Sequence, residues 1–194
     1  MACDNRQDSA HATLLDGSHI SVRQLTTGDV QAVLDLHRHL TTREQYLRFF
    51  IAHPAYLDTF AHTVVQCNAT QCALGAFESG RLIGVANYVT CRDPHVAECA
   101  VAVAHTEHLR GVATLLLQRL ATTARANGIR HFTAEVLADN SALLQMIAQA
   151  GWRHTTELAD GVLTIGLDLS TIPDPHTPGS INAARTPQPP SAVS

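Results

Sequence analysis

The stretch His108-Leu109-Arg110-Gly111-Val112-Ala113 stands between an apolar, strand-like run from Cys99 to Ala104 and an apolar, helical run from Thr114 to Ala124. A glycine-bearing turn that carries a strand into a helix is a place to hold phosphates. The first turn of a helix has backbone N–H groups with no intrahelical partner, and the helix dipole favours negative charge there. Gly111 and Ala113 are small, so the backbone can approach a bulky anion, and Arg110 brings a permanent cation with fork-shaped donors. Many strand-to-helix turns contain one glycine and bind nothing, so the hexapeptide has to be read with its surroundings.

Downstream, Val112, Leu116, Leu120 and Ala124 recur at helical spacing, Leu115 and Leu117 widen the stripe, and Asn127-Gly128 ends it. A strand is predicted from His131 to Val136, then a helix opened by Asp139 or Asn140 and closed by Gly151. A hairpin follows, about Trp152 to Leu158 with Val162 to Leu169, turning at Asp160-Gly161. Upstream, His19 to Leu25 alternates as a strand, and Thr27-Gly28-Asp29 opens a helical run from Val30 to Leu40. Thr41 to Phe50 carries Arg43, Glu44, Tyr46 and Arg48, and Pro54 opens a second helical run to about Gln66. Gln71 to Phe77 and Arg81 to Thr90 read as a hairpin around Glu78-Ser79-Gly80, and another strand runs from about Val96 to Ala104. The predicted order is β-α-α-β-β-β-α-β-α-β-β, an α/β fold.

A chain of 194 residues, 45% apolar, is sized for one domain with a full core and some tail. Residues 1–16 are polar and predicted to be a disordered tail. Residues 171–194 hold six of the eight prolines and few large apolar side chains, which predicts a second one and leaves a domain over residues 17–170. The net charge of −4 arises from 13 basic and 17 acidic residues mixed along the chain, which argues against nucleic acid as a partner. No stretch approaches the roughly 18 apolar residues of a membrane span, and the start has no signal-peptide core, so a cytoplasmic protein without a membrane partner is expected. Five cysteines, three of them in apolar strand-like contexts, read as packing residues of a reducing compartment. No second CxxC or HxxxH spacing completes a zinc set around Cys67 and Cys72, and His37 and His39 lie on different sides of a helix. No metal is therefore expected.

The element order and the position of the glycine turn resemble the GCN5-related N-acetyltransferases, or GNAT family, over about residues 19 to 169. The family's acyl-CoA signature is Arg or Gln, two residues, Gly, one residue, then Gly or Ala. Here His108 replaces the usual Arg or Gln, while Gly111 and Ala113 comply. Within the family the chain looks most like the GNAT domains of bacterial protein lysine acetyltransferases. That likeness is carried by Leu40-Thr41-Thr42-Arg43-Glu44-Gln45-Tyr46-Leu47-Arg48-Phe49-Phe50, by Ala97-Glu98-Cys99-Ala100, and by Glu135-Val136-Leu137-Ala138-Asp139-Asn140 running on to Gly151-Trp152. The resemblance implies a central mixed, mostly antiparallel sheet of six to seven strands flanked by about four helices.

It also implies acetyl-CoA as co-substrate and direct transfer to a primary amine, a protein lysine ahead of a small amine. Glu98 would be the general base, and a carboxylate among Val96, Cys99, Ala100 and Val101 would be partly desolvated. At ~3.3 Å per strand residue it lies about 16 Å from Val103, the scale of a pantetheine arm. Backbone groups of Val101 and Val103 would pair with that arm as an added strand would, and His108, Leu109, Arg110, Gly111, Val112, Ala113 and Thr114 would cradle the phosphates. Asn140 matches the family's asparagine near the carrier, and would otherwise be a plain N-cap. Many relatives carry a tyrosine in the helix Ser141 to Gly151, which has none here, so the general acid is unassigned, with Tyr46 and Tyr88 as candidates. A homodimer is compatible with the family. The competing reading is a non-catalytic acyl-CoA sensor, because a fold of this kind is reused for many purposes.

Overall fold

The computed structural model of the chain describes residues 9–51 and 54–175. The elements run β1 (Ala10–Thr13), β2 (His19–Gln24), α1 (Val30–Arg38), α2 (Thr42–Phe49), α3 (Leu57–Val64), β3 (Gln71–Glu78), β4 (Arg81–Thr90), β5 (Val96–Val103), α4 (Val112–Ala126), β6 (His131–Leu137), α5 (Ser141–Ala150), β7 (His154–Ala159) and β8 (Val162–Asp168). The eight strands form one sheet in the order β1-β2-β3-β4-β5-β6-β8-β7, antiparallel at every pairing except β5 with β6. The architecture is the expected α/β one, with one strand and one helix more than the upper expectation.

The extra strand is β1, which pairs with β2 from Ala10↔Val22 to Thr13↔His19 inside the segment expected to be a tail. Its sequence, Ala-His-Ala-Thr, is too short to give an alternating signal. The extra helix is α2, whose sequence TREQYLRF is too polar for an apolar stripe. It is announced by a capping box, Thr41 with Glu44, in which Oγ1 accepts from the Glu44 N–H and the Glu44 carboxylate accepts from the Thr41 N–H. At the other end the chain stays packed beyond residue 171. Ile172 is buried, and the Arg125 guanidinium donates to the carbonyls of Leu169 and Ile172. The predicted tails from 1 to 8 and from 176 onward lie outside the described residues.

Two apolar layers sandwich the sheet. On one face α4 and α5 bury Leu116, Leu120, Ala124, Ile147 and Trp152 against Tyr88, Phe132 and Ile165. A fully buried leucine of this kind stabilises the fold by roughly 1.5–3 kcal/mol. Gly84 on β4 allows the close approach, because a Cβ there would lie 3.0 Å from Leu116 Cδ1 and 3.2 Å from Val112 Cγ1. On the other face α1 and α3 pack Val33, Leu34 and Ala61 against Ala73, Phe77 and Val85.

Candidate active site

β5 pairs with β4 along its whole length, from Thr90↔Ala97 to Gly84↔Val103, but with β6 only from Val96↔His131 to Glu98↔Thr133. Beyond Glu98 the two parallel strands part, and β6 from Ala134 to Leu137 pairs only with β8. The sheet is thus split in the middle, and one edge of β5 from Cys99 to Val103 is left without a strand partner. Strand peptide groups alternate in direction, and the Ala104 N–H donates to Ile83 on the β4 side. By that alternation the backbone groups of Val101 and Val103 face the split, as expected of a strand edge that takes up an extended amide chain.

The glycine turn lies at the open end of this split. Leu109 and Gly111 both have positive φ, 63° and 89°, and Gly111 is the N-cap residue of α4. None of the N–H groups from Leu109 to Thr114 is taken by another described residue. Six donors are therefore gathered in one turn, Leu109 protruding with 95% exposure and Val112 anchoring the turn in the core. That arrangement fits a diphosphate, because the turn offers donors without acceptors.

Two of the side chains expected at the phosphates, Arg110 and His108, have partners within the protein. Arg110 is turned into the protein's own carboxylates: Nε donates to Asp16 (2.6 Å), the two terminal nitrogens donate to Glu78 (2.6 Å to Oε1), and one of them also donates to the buried Glu107. It also reaches Ser18 Oγ at 2.5 Å. The guanidinium is held protonated by these bonds and clamps together the β1–β2 loop, the β3–β4 hairpin and the turn. His108 points across to α2, with Nε2 donating to the Val103 carbonyl at 3.1 Å and lying 3.3 Å from Glu44 Oε1. His105 Nδ1 meets the same Glu44 oxygen at 2.8 Å. Burial would raise the Glu44 carboxyl, but the N–H of Thr41 and the His105 bond outweigh it and hold the group below its usual range. This Glu-His-His cluster joins residues 61 positions apart, a separation no local spacing could signal.

Glu98 lies at the point where the split opens. Its side chain is exposed, because the apolar neighbours Ala97 and Cys99 point into the opposite, α4-bearing layer. The desolvation expected of it is therefore not provided. On its own face it answers to Arg48 of α2, a residue the sequence reading left without a role. Arg48 is half-buried, donates to Asn87 Oδ1 at 3.1 Å, and lies over the rings of Phe49 and Phe60 at 5.0 and 5.3 Å. Burial pushes its guanidinium down to about 10, opposed by its interactions with Tyr56 and Glu98. Burial and the Glu98 charge push the Cys99 thiol up to about 12, so it stays protonated and is a poor nucleophile.

Asn140 caps α5, its Oδ1 accepting from the Leu143 N–H at 3.3 Å. Tyr88 is buried in the α4-bearing layer with its hydroxyl accepting from Asn127 Nδ2 at 2.8 Å, which takes it away from the split. Tyr46 is 43% exposed on α2. A concavity of about 570 Å³ lined by His95, Arg130 and Asp168 lies at the N-terminal end of β6, the opposite end from the cradle.

The sequence profile of the Acetyltransferase (GNAT) family matches residues 34–152, which include α2, Glu98, the glycine turn and α5. The chain belongs to the GNAT acetyltransferase family. It is an N-acetyltransferase by that membership, and the family uses acetyl-CoA. Among solved structures it is similar to the GNAT domain of S. lividans PAT, at 27% identity and a TM-score of 0.74, covering 82% of this chain and 96% of that one. It is also similar to a cAMP-binding acyltransferase from Mycobacterium smegmatis (21% identity, TM-score 0.59, 85% of this chain), of which it spans about half, 49%. A third likeness is to yncA, a putative acetyltransferase from Salmonella typhimurium determined with its cofactor acetyl-CoA (17%, 0.62, 77% of this chain and 94% of that one). The latter two, at their low identity, speak for the GNAT fold alone. Among the described residues no helix is long and apolar enough to cross a membrane.

Proposed function

We propose that the protein moves an acetyl group from acetyl-CoA directly to a primary amine, a protein lysine ε-amino group ahead of a small amine, with Glu98 as general base. The observation that carries the reading is the split between β5 and β6, which begins at Glu98 and ends at six unclaimed N–H groups. The N–H groups from Leu109 to Thr114 would bind the carrier's diphosphate, and the edge of Val101 and Val103 would hold its amides. Asn140, besides capping α5, stands at the β6 side of the opening. Acetyl-CoA supplies an activated thioester carbonyl when bound.

The protein's own part is proton management and exclusion of alternatives. An amine attacks only after losing its proton, and Glu98 is an exposed carboxylate at the base of the split, able to take it. Arg48 places a positive charge on the same face as Glu98. The protonated Cys99 favours a single transfer over an acyl-cysteine route. The lysine preference rests on the 27% identity with the S. lividans PAT domain, together with the α2 stretch that carries Arg43, Tyr46 and Arg48 on the acceptor side.

The test is calorimetric titration with acetyl-CoA and CoA, followed by a thiol-release assay over lysine-bearing proteins and small amines. Binding with release on protein substrates is the expected result. Binding without release on any acceptor would favour the sensor reading, and no binding of either ligand would overturn the proposal.

A further inference from the structure

We infer that Glu44, His105 and His108 form a binding site for a divalent transition-metal ion of zinc's class. Three elements converge on it: Glu44 from α2, His105 from the single 3-10 turn after β5, and His108 from the loop into α4. One ligand atom from each, Glu44 Oε1, His105 Nδ1 and a ring nitrogen of His108, lies within 4.8 Å of the other two. Two of the edges are known closely, 2.8 Å from Oε1 to His105 Nδ1 and 3.3 Å from Oε1 to His108 Nε2. Metal–ligand lengths of about 2.0–2.1 Å at tetrahedral angles put neighbouring ligand atoms about 3.3 Å apart, so the trio needs movements of a few tenths of an ångström to an ångström.

The donor chemistry selects the ion. Two imidazoles and one carboxylate suit zinc and its neighbours, whereas calcium and magnesium require oxygen shells. The carboxylate is already oriented, because its other oxygen, Oε2, accepts from both the N–H and the Oγ1–H of Thr41 in the capping box. Bonding of this kind around a ligand fixes its geometry and strengthens metal binding. Glu44 is largely shielded, with 15% of its side chain exposed, while His105 and His108 are 66% and 41% exposed, so an ion has an entry path. Three protein ligands leave a fourth position to water or an anion.

His108 would exchange its bond to the Val103 carbonyl for the ion, and the ion would tie α2 to the loop that precedes α4. The site stands independently of the transferase reading, since its donors meet in the protein alone.

The experiment uses the full, untagged chain, stripped with a chelator and returned to pH 7.5. Equilibrium dialysis against Zn²⁺ is expected to give one ion per chain, and Co²⁺ to give visible ligand-field bands without a thiolate charge-transfer band. His105→Ala is expected to weaken binding by roughly 100-fold or more. Its unfolding midpoint in chelator should match the wild type, since His105 is exposed, and Zn²⁺ should raise the midpoint of the wild type only. An equal ion content in the His105→Ala variant, a thiolate band pointing to the exposed Cys91, or no bound ion in the wild type would each overturn the inference.

Discussion

His37 makes this fold sensitive to mild acid, and the size of the effect follows from its surroundings. The side chain is 1% exposed between α1 and its neighbours, with its ring centroid 5.0 Å from that of Phe60 and 5.6 Å from that of Phe49. Nδ1–H donates to the Val33 carbonyl at 2.8 Å, and Nε2 has no partner among the described residues. A proton added to Nε2 would therefore be charged, dry and unbonded, with the Arg48 cation nearby. Burial, and secondarily that cation, push the imidazole down to about 4 from an ordinary 6.5, against the opposing Val33 bond. Above pH 6.5 the residue is neutral whether the chain is folded or not, and stability does not depend on it. As pH falls from 6.5 towards 4 only the unfolded chain takes up the proton, so stability is lost across that window. Below 4 the loss is complete. At about 1.4 kcal/mol per pH unit the total comes to about 3 kcal/mol, a large share of the margin of a domain this size. The assay is urea unfolding of wild type and His37→Phe at half-unit steps from pH 7.5 to 4. The difference in unfolding free energy should move by about 3 kcal/mol in favour of the variant over that range. Comparing the two chains cancels the other histidines, and the Asp29 carboxyl, held at about 2 chiefly by its bonds from Arg23, titrates below the window. A difference that stays flat within about 1 kcal/mol would refute the reasoning.

Glu98→Gln should leave acetyl-CoA affinity nearly unchanged and lower turnover by roughly 100-fold, most at neutral pH, as read by thiol release across a pH series. Equal turnover by the variant at every pH would remove Glu98 from the reaction. Gly111→Val should cost on the order of 1–3 kcal/mol through its φ of 89°, measured as a lowered urea midpoint, and should weaken acetyl-CoA binding by calorimetry. Its Cβ would meet Leu15 at 3.4 Å, so the damage comes through the turn's backbone and the β1–β2 loop, and not from a side chain standing among the phosphates. Tyr88→Phe should keep full turnover while costing about 1 kcal/mol of stability, because the hydroxyl's bond to Asn127 is structural. A large loss of turnover would make Tyr88 the missing acid.

How much of this was legible in the sequence depended on sequence separation. The strand, glycine turn and apolar helix from Val96 to Ala126 are periodic and contiguous, so that unit could be read directly, as could the hairpins around Ser79-Gly80 and Asp160-Gly161. β1 escaped because four residues are too few to alternate convincingly, and α2 because its stability comes from a capping box and from contacts with β4 and β5. The parting of β5 from β6 after Glu98 had no sequence signal, since both strands continue beyond it without a break.

The same limit explains the side chains. Arg110 reads as a cation in the signature, but its partners Asp16, Glu78 and Glu107 could not be read with it, because they lie as far as 94 residues away. Three glutamates of identical chemistry are set to three tasks by position alone. Glu107 is buried and neutralised by Arg81 and Arg110, Glu44 is oriented by a helix cap toward two imidazoles, and Glu98 stays exposed where the sheet opens. Of the three, Glu98 has no hydrogen-bond or ion-pair partner among the described residues and faces the opening, so it is the one left able to exchange a proton with a ligand. That contrast, more than the position of Glu98 in a motif, is the physical reason to assign it the base.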